Sequence, residues 1–580
     1  MKMVSSPLSL YQICLNVTVE DSIKGCRLCE KDLKFLPNNI LFDFYYKLFL
    51  ENHLCLLGRE LGDLEIFNRL LSVKSKRTKF LKCFQSLLDH GNKTTNISEI
   101  LINQYSKYLK KIDVNSNYID FGLKLGGFLN EGGWYPNCIK VLNIAEELCK
   151  RHPRTELILK KLLDCYHKRI HAEVCYKEFK AADHTYELAQ KVVSELVDLG
   201  SSPNLAAIYS NFSTLYYMKS EYDEALEWSK KALRLLSHDL PVRIIIEVLR
   251  QASKSCIVKR WFNQAGFLIR QALSLASDLY AIDHHPHYAD TLTDYGFYLL
   301  NYDSTEDSLK VYEKSLAIRK EIFLKNNINV ALAHEDLAYV LYVHEYSSGS
   351  FSSASENAEK ALKIMRKILP PDHLLISSAK RVKALILEEV ALDMRRFGDL
   401  ENIRRQNEYL RESEELHKEA LASSFKTFGE KNVLTAKQYG NLGRLYQSMT
   451  KFEEAERMHL KAIAIKAELL GESDYEVALS VGHLASLYNY QMGRYHDAEK
   501  LYKRSIEINV NLFGETYSGL EYDYRGITHV YMKLADTENV LLYKRKMREW
   551  KKLREQIRTE IKNEEVLPLQ EIVDTFFKMC

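Results

Sequence analysis

Glycine and proline are scarce in this chain, at 23 and 10 of 580 residues, which excludes collagen-like and loop-dominated proteins and leaves little to interrupt helices. An excess of one charge is also missing. Lys plus Arg number 81 against 78 Asp plus Glu, a formal +3, too balanced for a nucleic-acid coat or a membrane-surface protein. No apolar run approaches the about 18 residues of a membrane span, and Met1 to Leu10 lacks the basic start and long apolar stretch of a secretory signal. The eleven cysteines are scattered, with Cys138, Cys149 and Cys256 at positions that read as helix interiors. This usage fits a reduced, cytoplasmic compartment, so the sequons at Asn16, Asn96 and Asn211 read as chance matches.

Catalytic motifs are absent as well. There is no phosphate-binding loop, nucleophile elbow or metalloprotease motif. Cys26-x-x-Cys29 has no second close pair to complete a zinc site, and His284, His285 and His287 crowd a turn. The expectation is a chain with no catalytic residue, no cofactor, no metal ligand and no nucleic-acid partner.

What is abundant is Leu, Lys, Glu and Ala, arranged in a repeat. The clearest copy runs from Tyr439 to Gly471. Leu442, Gly443 and Tyr446 share one helix face, and Phe452 opens a second helix with Ala455, His459 and Ala462 on the facing stripe. Taking the small residue near the start of the second helix as a marker places copies at Cys138, Ala182, Ala225, Ala265, Ser308, Ala354, Ser413, Ala455, Ala498 and Val540. Seven residues on, a second small residue recurs from Ala145 to Ser505, and only the last copy, with Met547, breaks the pattern. The spacing is that of tetratricopeptide repeats, with intervals of 40 to 46 residues and one of 59, longer than the usual unit of about 34. The predicted fold is all-α, a right-handed α-α superhelix. Two excesses of length, at Ser347 to Ser350 and at Met394 to Tyr409, read as surface loops. The basic run Lys544 to Arg554 reads as the solvated face of the last helix.

The phrases SLAIRKEIFL, AIAIKAELLG and SIEINVNLFG that close three units resemble the repeats of kinesin light chains. Near the N-terminus, Leu10, Cys14 and Val17 share a helix face and resemble the elongin-binding box of cullin-RING ligase receptors, with Thr18 in place of the last aliphatic. Downstream, Leu36-Pro37 followed by Ile40 resembles the cullin-2 box. That resemblance implies elongin binding by Leu10, Cys14 and Val17, and cullin binding by Leu36, Pro37 and Ile40. The expected organisation is therefore 1–50 for the two boxes, 51–118 for an N-terminal helical segment, 119–550 for about ten repeats, and 551–580 for a tail.

From about Leu36 to Trp550 the chain is also similar to a kinesin-light-chain-like substrate receptor of a cullin-2 ligase. This resemblance implies elongin B/C, cullin-2 and a RING subunit as partners, and recruitment of proteins that end in an Arg-x-x-Gly type degron. It also implies binding of the amyloid precursor protein tail and a link to microtubules. A motor-cargo adaptor is the alternative, although no heptad coiled coil precedes the repeats as it does in kinesin light chains. Homodimerisation, a nuclear pool, and microtubule or membrane association are left open.

In a helical-hairpin solenoid the first helix of each unit lines the inner wall. The marker alignment places Arg381, Lys437, Asn441, Arg444, Asn489 and Arg525 there, donors suited to a terminal carboxylate. Earlier repeats place Asp290, Asp294, Glu335 and Asp336 at equivalent positions, acceptors suited to an arginine. A degron-binding role for these ten residues is the resulting expectation.

Overall fold

The structure, a computed structural model, describes residues 9–24, 33, 35–91, 96–111, 116–282, 284–345, 349–394, 400–556 and 565–580. All regular structure among the described residues is helical. Ten hairpins follow in order. The first five pair Ser116–Glu131 with Tyr135–Lys150, Glu156–Cys175 with Phe179–Asp198, Ala206–Lys219 with Tyr222–Arg234, Val242–Val258 with Phe262–Tyr280, and Pro286–Asn301 with Thr305–Phe323. The last five pair Ile328–Glu345 with Ser352–Ile368, Leu374–Met394 with Leu400–Phe428, Val433–Ser448 with Phe452–Leu470, Tyr475–Tyr490 with Tyr495–Phe513, and Leu520–Lys533 with Thr537–Glu555. The chain divides into two compact units: Met1–Leu215 with Tyr280–Ala289 and Ala317–Val330, and Tyr216–Leu279 with Asp290–Leu316 and Ala331–Cys580.

Small residues make the hairpins. Nine of the ten markers, Cys138 through Ala498, are fully buried, and so are the nine small residues that follow them seven positions later. A methyl or hydroxymethyl group at these positions lets two helix axes approach closely. Where the marker carries a donor it bonds the facing helix: Ser308 Oγ donates to the Gly296 carbonyl at 2.8 Å and Ser413 Oγ to the Ala384 carbonyl at 2.9 Å. In the eighth hairpin Gly443 serves the same approach, since a Cβ there would stand 2.9 Å from the His459 ring.

The turns inside nine of the hairpins, all but the seventh, whose turn lies outside the described residues, share one conformation. Gly133, Lys177, Ser220, Arg260, Asp303, Gly349, Thr450, Gly493 and Ala535 all have φ between +57° and +77°. The left-handed residue turns the preceding carbonyl away from the helix it ends. In the first unit, Asn327 Nδ2 donates to the Gly132 carbonyl at 2.8 Å while its Oδ1 accepts from Asn329 N at 2.8 Å. The second unit repeats the device: Asn432 Nδ2 donates to the Lys219 carbonyl at 2.8 Å and its Oδ1 caps Leu434 N at 2.8 Å. Each asparagine thus ties the turn of one hairpin to the lead-in of the hairpin five positions later. The second unit holds two more ties with this offset. Arg260 lies 5.0 Å over the Tyr475 ring and 3.8 Å from Asp474, and Asp303 accepts from Ser518 N at 2.9 Å.

Before the first hairpin, helices Leu54–Leu61, Leu64–Leu71, Arg77–His90 and Ile97–Ser106 enclose an aromatic core. Phe80 lies 4.9 Å from Phe128 and Phe84 lies 4.6 Å from Trp134.

Two expectations need correction. The stretch Met394 to Tyr409 is not a loop throughout, because the 29-residue helix Leu400–Phe428 takes in its second half. Arg405 pairs with Glu401 and Arg404 with Glu408 one turn apart, and Leu410 packs with Ala391 and Leu445, so local pairing and an apolar edge extend the helix. The end of the chain is not a plain tail. Helix Leu569–Met579 buries Leu569, Ile572, Val573 and Phe576, and Gln264 and Gln271 of the fourth hairpin donate to the Met579 and Glu565 carbonyls at 2.6 and 3.2 Å. The basic run is partly engaged as well, since Arg554 pairs with Asp303 and Trp550 Nε1 donates to the Tyr517 carbonyl at 2.9 Å.

Replacing a marker partner overfills the contact between helices. Ala462→Leu is expected to destabilise the chain by about 1–3 kcal/mol, read as an earlier denaturant midpoint by circular dichroism. An unchanged midpoint would show that small size at this position does not govern the helix approach.

Candidate functional site

The ten residues expected on the inner wall all lie in the second unit. Lys437, Asn441 and Arg444 stand four and three apart on helix Val433–Ser448 and therefore share a face. Arg444 donates to Glu388 at 2.8 Å and to the Tyr342 hydroxyl at 2.7 Å, with Glu389 3.6 Å away. Lys437 pairs with Glu476 Oε1 at 2.8 Å, and the other oxygen of Glu476 takes Lys466 at 3.1 Å. Lys466 is almost wholly buried, whereas the Lys437 side chain keeps 37 % of its surface. Arg381 sits 5.6 Å from the centre of the Tyr339 ring.

The acidic residues have partners of their own. Asp294 is held by Arg250 at 2.7 Å and Lys254 at 3.4 Å. Asp294 and Asp336 both act on the Tyr217 hydroxyl, and Asp290 acts with Asp294 on Arg250. Glu335 accepts from Ser378 Oγ at 2.5 Å. Tyr222 and Tyr339, from the third and sixth hairpins, lie near enough to Lys437 to act on its charge.

Electrostatics fix the ionisation of these side chains. Burial disfavours charge on Lys437, but Glu476 overcomes it and holds the ammonium above its ordinary pKa. Burial likewise works against the Glu476 carboxylate, and Lys437 and Lys466 hold it well below the usual carboxylate range. Burial pushes His417 and His459 down to about 3, so both rings are neutral. Glu389 goes the other way: burial, opposed by Arg444 and reinforced by Glu388, pushes its carboxyl up to about 7.

Two expected residues stand apart from this arrangement. Asn489 is buried, and its amide is engaged by the Gly526 carbonyl at 3.0 Å and by His529 at 2.8 Å. Arg525 is exposed and paired with Glu521 on its own helix. The tyrosines and the paired carboxylates Glu388, Glu389 and Glu476 are the elements that sequence reasoning missed. A signal existed for some of the pairing. Arg250 and Asp294, like Glu335 and Ser378, lie one repeat length apart and so fall on neighbouring first helices.

The N-terminal boxes lie in the first unit. Ser9 and Gln12 form a reciprocal capping box, with Gln12 N donating to Ser9 Oγ at 3.3 Å and Ser9 N to Gln12 Oε1 at 2.9 Å, which starts helix Leu10–Lys24. Val19 is buried, and the Tyr11 hydroxyl donates to Asp43 Oδ2 at 2.8 Å. Leu10, Cys14 and Val17 face outward, with Leu10 77 % and Val17 52 % exposed. In the second box Pro37 is exposed while Leu36 and Ile40 are half-buried, and Arg69 donates to the Leu36 carbonyl. Cys26 and Cys29 lie outside the described residues.

Removing the charge of Glu476 leaves Lys466 buried without its counter-ion. Glu476→Gln is expected to cost about 3–5 kcal/mol, measured by denaturant unfolding against Lys437→Gln. The Lys437 variant keeps the Lys466 pair and should cost far less. Equal losses would refute the central place of the buried pair.

Profiles of the tetratricopeptide repeat match residues 402–468, and 205–236 with 477–516. The chain is 46% identical over 551 residues to amyloid protein-binding protein 2 of Mus musculus, covering 95% of this chain and 92% of the relative. It is 45% identical to the Rattus norvegicus protein of the same name over the same shares of each. A solved putative kinesin light chain with nearly identical tetratricopeptide-like repeats is 18% identical, spans 39% of this chain and 97% of its own, and has a TM-score of 0.27.

Proposed function

The chain belongs to the amyloid protein-binding protein 2 family, and from that premise we propose that it is the non-catalytic substrate receptor of a cullin-2/elongin ubiquitin ligase. In this reading it holds proteins by Arg-x-x-Gly type C-terminal degrons and promotes their ubiquitination and proteasomal degradation. The observation that carries the proposal is the outward apolar face of helix Leu10–Lys24, where Leu10, Cys14 and Val17 are exposed together on a helix that the capping box and Val19 already secure. Apolar side chains held out on an ordered helix are what a groove-bearing partner takes up. The recess supports the second half. Asp290, Asp294 and Asp336 offer oxygens for an arginine, and Lys437, Asn441, Arg444 and Arg381 offer donors for a terminal carboxylate.

A second reading is a cargo adaptor that binds the amyloid precursor protein tail and microtubules. The name of the mouse and rat relatives favours it.

Two measurements separate these readings. Copurification with elongin B/C, cullin-2 and the RING subunit is expected for the native chain and is expected to fall at least tenfold for Leu10→Glu combined with Cys14→Glu. Equal recovery would remove the first box. A peptide ending in Arg-x-x-Gly should bind the native chain and lose affinity when Asp294 and Asp336 are replaced by Lys or when its carboxylate is amidated. Binding that tolerates all three changes would refute the degron reading.

The recess should also respond to pH. Glu389 is protonated below about pH 7 and ionised above it, so raising the pH adds a negative charge beside Arg444. Peptide affinity is expected to fall roughly three- to tenfold, about 1 kcal/mol, from pH 6 to pH 8. Glu389→Gln should flatten that dependence in a titration followed by fluorescence anisotropy.

A further inference from the structure

The turn that leads into the fifth hairpin does more than start a helix. Within the first unit it places His285 and His287 against Glu131, the last residue of the first hairpin's opening helix. One nitrogen from each ring and one carboxylate oxygen all lie within 4.8 Å of one another. Glu131 Oε1 and His285 Nε2 are 3.1 Å apart. Two ligands of a tetrahedral zinc ion, each roughly 2.0–2.1 Å from the metal, stand about 3.3 Å apart.

The carboxylate carries the second observation. Its side chain keeps only 6 % of its surface. Oε2 is held by Arg77 Nε at 2.9 Å. Oε1 is buried and faces His285 Nε2 at 3.1 Å, so two potential ligand atoms are already held side by side. The surroundings hold this set in place. Arg77 fixes the carboxylate from behind, as outer partners of metal ligands do. The Tyr280 ring stacks on His285 at 4.6 Å and lies 5.7 Å from His287, limiting both rings.

We propose that Glu131, His285 and His287 form a divalent transition-metal site, taking Zn2+ with a fourth position left to solvent. The proton balance is simple. His285 Nδ1 accepts from His287 N at 3.3 Å, which puts the ring proton on Nε2. Binding moves that proton to Nδ1 through solvent, gives up the 3.3 Å contact, and frees the Nε2 lone pair for the metal. The ring stays neutral throughout, and no other proton is released. Two protein nitrogens and one carboxylate with an open position form a recognised zinc set. Here the ion would clip the end of the first hairpin's opening helix to the turn that leads into the fifth.

The test uses the full chain with its thiols alkylated, so that scattered cysteines do not contribute, and Zn2+ alone as the probe. Competition against a chromophoric chelator should give one tight ion per chain. His287→Gln and Glu131→Gln should each weaken it at least tenfold. His284→Ala should leave it unchanged, because His284 pairs with Glu321. Co2+ substitution should give the visible bands of a four-coordinate site in the native chain and not in His287→Gln. Circular dichroism of each variant confirms folding. Equal Zn2+ affinity in native chain and folded variants, or no tight ion in the native chain, would overturn the proposal.

Discussion

An asparagine side chain that serves two backbones at once ties together hairpins five repeats apart within each unit of this fold. Its oxygen caps the helix that follows, and its amide closes on a carbonyl that a left-handed turn has pushed outward five hairpins earlier. Both halves are needed. Without the left-handed residue the carbonyl would not present itself, and without the amide it would need another donor. The device occurs once in each unit, and in the second unit the Arg260–Tyr475 and Asp303–Ser518 contacts continue it at the same offset. Small residues bring helices together within a hairpin; these ties fix how hairpins return upon one another.

The interior that results holds many buried polar and charged side chains. Charges there are retained in complementary clusters, such as Glu476 between Lys437 and Lys466, and Glu388 with Arg444 and Ser448. Such clusters are poor sources of net stability, since desolvation offsets most of the attraction. Their value lies in position: each fixes the place of its cations, and Lys437 keeps part of its side chain exposed. The imidazoles of His417 and His459 are packed without charge and contribute shape.

The hairpins were legible in the sequence because their determinant is local and repeated: a small residue, and another seven positions on. The shared face of Lys437, Asn441 and Arg444 was legible for the same reason, since they follow helix spacing. The ties were not. Nothing within the repeats that hold Asn327 and Asn432 points five repeats away. Helix Leu400–Phe428 was misread because charge dominates its first turns, although its i,i+4 pairs are present in the sequence. Asn489 was assigned to the wall by register, but the adjoining hairpin uses both ends of its amide. The Glu131 cluster joins residues more than 150 positions apart, beyond any pattern that spacing reveals.

Contacts between the turns of the third, fourth and fifth hairpins and the lead-ins of the eighth, ninth and tenth also couple repeats that are far apart in the chain. Loosening one tie therefore disturbs two hairpins at once, because the turn inside one and the lead-in of the other share the same contact, and a substitution in a turn is felt about two hundred residues away.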